Sequence, residues 1–172
     1  MLACSPAMTG DPFGPLAYLI TFRCYGTWLH GDPRGSIDRQ HNQYGARLLP
    51  SDLRRMWRVQ ERLHEDPIEL TAERRCIVED TIRQVCLHRG WMLHALNVRT
   101  NHVHSVISAS AKPEQVLRDL KAWSTRRMIE SGALQAGAKP WSRHGSTVYL
   151  WTLESLAQTC RYVMEGQDEA AA

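Results

Sequence analysis

The chain has 172 residues, 43% apolar and 23% charged, which is enough to bury a core without disulfide or metal staples. A net charge of +3 does not announce a nucleic-acid binder by bulk electrostatics, and no apolar stretch reaches the length of a membrane span. The five cysteines (Cys4, Cys24, Cys76, Cys86, Cys160) are scattered with no C-x-x-C pair, which argues against a disulfide framework or a cysteine zinc site and suits a reducing cytoplasm.

Residues 1–15 contain prolines and glycines but no basic end followed by an apolar run, so a flexible tail is expected there rather than an export signal. Residues 16–167 are expected to form one domain, with 168–172 a short closing tail. Leu16 to Arg23 is dense in β-formers and reads as a first strand. Cys24 to Pro50 has turn chemistry without periodicity, so a long ordered loop is expected, and Ser51 to Glu65 reads as a helix with a charged face. Thr71 opens a stronger helix whose Ile77, Val78, Ile82, Val85 and Cys86 recur at helical spacing until Gly90 stops it. The three helical cysteines, Cys76, Cys86 and Cys160, are expected to be small buried thiols.

Trp91 to Val98 and His102 to Ala109 read as two strands joined by a short turn. Pro113 is well placed as the first residue of the next helix, which buries Val116, Leu117, Leu120, Trp123 and Met128 and ends at Gly132. Ala133 to Lys139 reads as a flexible link and Ser146 to Trp151 as a fourth strand. Thr152 then caps a helix to about Gly166, with an apolar stripe of Leu153, Leu156, Ala157, Cys160, Val163 and Met164. Tyr162 is expected nearly opposite that stripe. Apart from the loop and helix after the first strand, the order β-α-β-β-α-β plus a C-terminal helix predicts an α+β, ferredoxin-like antiparallel sheet with the first and third strands central.

His102 and His104 lie two apart on the third strand, so both imidazoles face the same side while Val103 turns into the core. Such a pair can hold a divalent cation able to polarise a phosphate, or it can be two solvent-facing histidines. Tyr162, off the apolar stripe, is either a hydroxyl reaching toward that strand or an exposed ring packing on a neighbour. Lys112, Arg118, Lys121, Arg126, Arg127, Lys139 and Arg143, interleaved with Trp123 and Trp141, fit a single-strand groove, though taken alone they fit better a solvated helix face over buried tryptophans.

Several stretches together carry a resemblance. Tyr25-Gly-Thr-Trp-Leu-His-Gly-Asp-Pro-Arg-Gly35, Asn97-Val-Arg-Thr-Asn-His-Val-His104 and Lys121-Ala-Trp-Ser-Thr-Arg126 come first. Trp141-Ser-Arg-His-Gly-Ser146 and Tyr162-Val-Met-Glu-Gly-Gln167 follow in the same order. With them the chain resembles the HUH-superfamily single-tyrosine transposases, and within these the REP-associated tyrosine transposases and their insertion-sequence relatives. The resemblance implies a metal-dependent single-stranded DNA endonuclease and transposase that works through a 5′-phosphotyrosine at hairpin-bearing ends. It implies Tyr162 as nucleophile, His102 and His104 as ligands of Mg2+ or Mn2+, and Gln167 as a third ligand. The family's usual third-ligand position falls on Gly166 here, so Glu165 stands as the substitute. It also implies DNA contacts from Trp28, Arg34, Arg39, Lys121, Arg126, Arg127 and Arg143, with Arg143 and His144 before the last strand able to meet phosphate. Relatives include both homodimers that swap the tyrosine and monomers, and a nucleoid-associated cytoplasmic location with no membrane partner is expected. The alternative is a non-catalytic module of the same fold that binds structured single strands. A zinc hydrolase lacks a third His or Cys at ligand spacing.

Overall fold

The structure, a computed structural model, describes residues 14–27, 52–61 and 66–165. In chain order the elements are β1 (Ala17–Cys24), α1 (Leu53–Gln60), α2 (Ala72–Arg89), β2 (Met92–Val98), β3 (His102–Ser108), α3 (Pro113–Glu130), β4 (Trp141–Leu150) and α4 (Leu153–Met164). The strands form one antiparallel sheet in the order β2-β3-β1-β4. This is the expected ferredoxin-like plan, with β1 and β3 in the centre.

Local chemistry explains the boundaries. The Thr71 hydroxyl accepts the Arg74 N–H and starts α2, and Gly90 closes that helix at φ 68°, a conformation a Cβ disfavours. Pro113 opens α3, where its missing N–H costs nothing. Thr152 and Ser155 exchange side-chain and backbone hydrogen bonds in a reciprocal cap that starts α4.

Strand alternation divides the sheet into two unlike faces. Tyr18, Ile20, Phe22 and Cys24 of β1, with Val103 and Ile107 of β3, turn toward α2 and α3 and make the main core with Val78, Ile82, Val116 and Leu120. On the other face Ala17, Leu19, Ala95, Val106 and Leu150 form a smaller apolar patch that receives Val163 of α4. Burying that one valine is worth about 1.5–3 kcal/mol. No helix among the described residues is long and apolar enough to cross a membrane.

Four expectations need correction. β4 begins at Trp141, five residues before Ser146, because Trp141 packs edge-on against Phe22 (centroids 4.9 Å apart) and its indole N–H reaches the Lys121 carbonyl. The link after α3 is tied down: Leu134 is buried in the core and its N–H donates to the Met128 carbonyl at 3.0 Å. Cys76 is exposed, on the solvent side of α2, while Cys86 is buried and Cys160 partly so.

The fourth concerns α4, which buries a narrower and rotated line, Leu156, Thr159, Cys160 and Val163, leaving Leu153 74% and Met164 66% exposed. The sheet beside its last turn is polar where Thr21, Asn97 and the histidines stand, so the helix is covered along one ridge only. Tyr162 therefore sits at the margin of the buried line, about 100° from Val163, rather than opposite it. Much of the expected loop between Cys24 and Pro50, including Trp28, Arg34 and Arg39, lies outside the described residues, as does Gln167.

Candidate active site

The histidine pair sits on the α4 side of β3, at the end of the sheet away from Ala17. His102 and His104 lie with ring centroids 4.7 Å apart, and the Tyr162 ring comes to 6.1 Å from that of His104. All three side chains come from a single chain. Tyr162 is 50% exposed, so the phenol is within reach of solvent and of a ligand at the same time.

Each imidazole is held by its Nδ1 atom. The Asn101 carboxamide oxygen lies 2.6 Å from His102 Nδ1 and accepts its proton, which points the lone pair of that ring to Nε2. Thr21, paired with His104 across β1 and β3, places its hydroxyl 2.7 Å from His104 Nδ1. When Nδ1 carries the proton, Thr21 accepts it and the coordinating lone pair of His104 again falls on Nε2.

Burial drives the His104 pKa down to about 3, helped by the neighbouring His102, Arg23 and Arg99 side chains, which disfavour a second positive charge there. His104 is thus neutral across the physiological range, the form a metal needs. The same two arginines therefore lie near enough to His104 to act on its charge. Among the described residues no three His, Cys, Asp or Glu side chains gather at metal-binding spacing, so Glu165 does not join the pair in such a cluster.

Asn97 stands opposite His104 across the β2–β3 pairing, and its side-chain amide donates to the Val163 carbonyl at 2.8 Å. Sequence reasoning missed Asn97, Thr21, Arg23 and Arg99 as members of the site. Asn97 and Arg99 lie inside a motif already singled out, but only strand register brings Thr21 and Arg23 to the histidines.

The remaining expected DNA contacts are placed elsewhere. Lys121, Arg126 and Arg127 belong to α3, on the opposite face of the sheet from the pair. The Lys121 ammonium donates to the Ser142 and His144 carbonyls at 2.8 and 3.1 Å, and burial lowers its pKa to about 8. It ties α3 to the start of β4. Arg126 stacks over the Trp123 ring at 4.7 Å, and Arg127 bonds Gln84 and pairs with Glu130. These residues line a cleft of about 360 Å³ between α2 and α3, beside His88 and Arg89. Trp123, expected in the core, is 37% exposed there. Arg143 and His144 are exposed on β4.

A four-stranded antiparallel sheet with a histidine pair on a central strand and a tyrosine-bearing helix across it defines a class of protein. The sequence model of the IS200-like transposases matches residues 54–165, and the chain belongs to that family. It is therefore a transposase, as the single-tyrosine resemblance implied. No curated protein matches. Among solved structures, the chain is similar to a candidate transposase from Deinococcus radiodurans R1, at 17% identity and TM-score 0.50, over 90% of this chain and 93% of the other. It is also similar to a REP-associated tyrosine transposase bound to a REP hairpin, at 9% identity and TM-score 0.49, over 92% of this chain and 70% of the other.

Proposed function

We propose that this chain is a metal-dependent enzyme that nicks and rejoins single-stranded DNA at hairpin-bearing ends, with Tyr162 as the attacking group. The observation that carries the proposal is the 6.1 Å approach of the Tyr162 ring to His104, which is itself paired with His102. Family membership supports the reaction class.

His102 and His104 would hold Mg2+ or Mn2+ through their Nε2 atoms, with Gln167, outside the described residues, as the proposed third ligand. The ion would supply Lewis-acid polarisation of a phosphate oxygen. The chain's own residues do the rest. Arg23 and Arg99 draw the phosphodiester toward the pair. The Tyr162 hydroxyl gives up its proton to solvent as its oxygen forms a bond to phosphorus. The bond from phosphorus to the 3′-oxygen breaks, and that oxygen takes a proton to leave as a 3′-hydroxyl. The ester to Tyr162 conserves the bond, so a second 3′-hydroxyl can displace the tyrosine and rejoin the strand without a nucleotide cofactor.

The tyrosine and the histidines meet within one chain, and the same groups could also be exchanged between the two subunits of a homodimer. Trp28, Arg34, Arg39 and Arg143 remain proposed strand contacts. The cleft bearing Trp123, Arg126 and Arg127 is proposed to hold DNA away from the reacting phosphate, by stacking and charge. Lys121, turned onto backbone carbonyls, acts in this reading by fixing β4.

The test is a labelled hairpin oligonucleotide with a single-stranded flank, incubated with Mn2+ and resolved on a denaturing gel. The natural chain should give a covalent adduct, and Tyr162→Phe should give none while still binding the oligonucleotide. An adduct that persists in Tyr162→Phe assigns the nucleophile elsewhere. Binding with no adduct from the natural chain makes this a non-catalytic DNA-binding module.

A further inference from the structure

We propose that Asn97 is the positioning residue for the attacking tyrosine, locking the end of α4 at the height from which Tyr162 meets the histidine pair. The inference rests on reading Tyr162 as the nucleophile.

Helix ends leave their last carbonyls without partners. In α4 one of these, on Val163, receives the Asn97 side-chain amide at 2.8 Å. Val163 follows Tyr162 directly, and its own side chain is wholly buried in the small apolar cluster on this face of the sheet. The apolar socket sets how deeply the last turn sits. The amide hydrogen bond, directional and anchored in β2, sets where it sits along and around its axis.

Asn97 is also the cross-strand partner of His104. One side chain thus measures the distance between the strand that carries the proposed ligands and the helix backbone beside the nucleophile. α4 needs such a tether, since Leu153 and Met164 near its two ends are largely exposed. A tyrosine misplaced by about 1 Å can lose about a hundredfold in rate.

Two variants test this. Asn97→Asp keeps the shape but replaces the donor with an oxygen facing the Val163 carbonyl, and Asn97→Ala removes the group. Both should form the covalent adduct at least tenfold more slowly in single turnover, and Asn97→Ala, which adds no charge beside the histidines, should do so with oligonucleotide affinity and Mn2+ affinity within about twofold of the natural chain. A second readout needs neither DNA nor metal. With labelled tyrosine, the Tyr162 ring signals (assigned by their loss in Tyr162→Phe) should move toward exposed-tyrosine positions in both variants, while those of buried Tyr18 stay. Unchanged Tyr162 signals and adduct rates within twofold of the natural chain would overturn the proposal. If the variants do not fold, the natural chain decides. Its Asn97 amide protons should exchange with water more slowly than those of exposed Gln115, and equal exchange overturns the tether. Moved ring signals with no adduct from any chain would instead leave the tether standing and sink the proposed reaction.

Discussion

Replacing Thr21 by valine removes one hydroxyl from the site and almost nothing else. The side chain keeps its shape and its β-branching, so β1 retains its strand preference. What disappears is the 2.7 Å partner of His104 Nδ1. His104 is largely desolvated, as its pKa of about 3 reflects, so water does not simply take over. Leaving the nitrogen of this half-buried imidazole unsatisfied costs about 1 kcal/mol, the low end of the range for a buried group. For a chain of this length each kcal/mol lowers the melting temperature by about 2–4 °C. The larger effect falls on the ion, because removing the partner that orients a ligating histidine typically weakens metal affinity 10–100-fold. Isothermal titration of Mn2+ into the metal-free protein measures the second effect, and a thermal melt the first. Thr21→Ser restores the hydroxyl and should recover most of the Mn2+ affinity. If Thr21→Val binds Mn2+ as tightly as the natural chain, His104 is not oriented by Thr21 and the proposed ligand geometry is wrong.

Two further predictions concern the fold that carries the site. His104 titrates near 3 in the folded chain and near 6.5 when exposed, so the unfolded chain binds the extra proton first. The metal-free protein should keep its full stability above about pH 6.5 and lose up to about 2 kcal/mol from this group on going to pH 5. Urea unfolding of the natural chain and of His104→Gln at both pH values checks this, and equal losses in the two proteins refute it. Gly145, on β4 beside Phe22, has no room for a side chain, since a Cβ would lie 2.7 Å from the Thr21 carbonyl oxygen and 2.9 Å from Leu117 Cδ2. Gly145→Ala should destabilise by about 1–3 kcal/mol, read as a lower melting temperature, and an unchanged melt would contradict the close packing of α3 on that strand.

Much of this architecture was legible where one residue decides a local outcome. Thr71, Gly90, Pro113 and Thr152 mark helix ends through their own backbone or hydroxyl chemistry, and each end falls at or beside the expected position. The strand order followed from crossover handedness once the element order was known. The start of β4 was not legible, because Ser142, Arg143, His144 and Gly145 look like a loop. They form strand only because β4 is an edge beside a register shift between Phe22 and Cys24. The buried line of α4 was misjudged for a related reason. Periodicity shows which residues can share a face, but the surface underneath decides which of them are covered. That surface is polar where Thr21, Asn97 and the histidines gather, and their gathering depends on register across three strands.

The parts of the proposed site are held by different forces, and this decides which substitutions affect which step. The histidines stand on a central strand bonded on both edges, with Val103 fully buried beneath them, so their spacing is set by the sheet itself. Thr21 and Asn101 then choose the nitrogen each ring presents. Tyr162 stands on a helix of twelve residues, fixed at its far end by one buried valine and one side-chain hydrogen bond. Perturbing β1 or β3 therefore changes how the ion is held, while perturbing β2 or α4 changes where the nucleophile is held. A helix so lightly anchored is also the element on which a covalently attached strand can move with least cost to the core, because little of its surface is buried. Fast local opening belongs on α4 and slow opening on β3, an order that follows from burial alone.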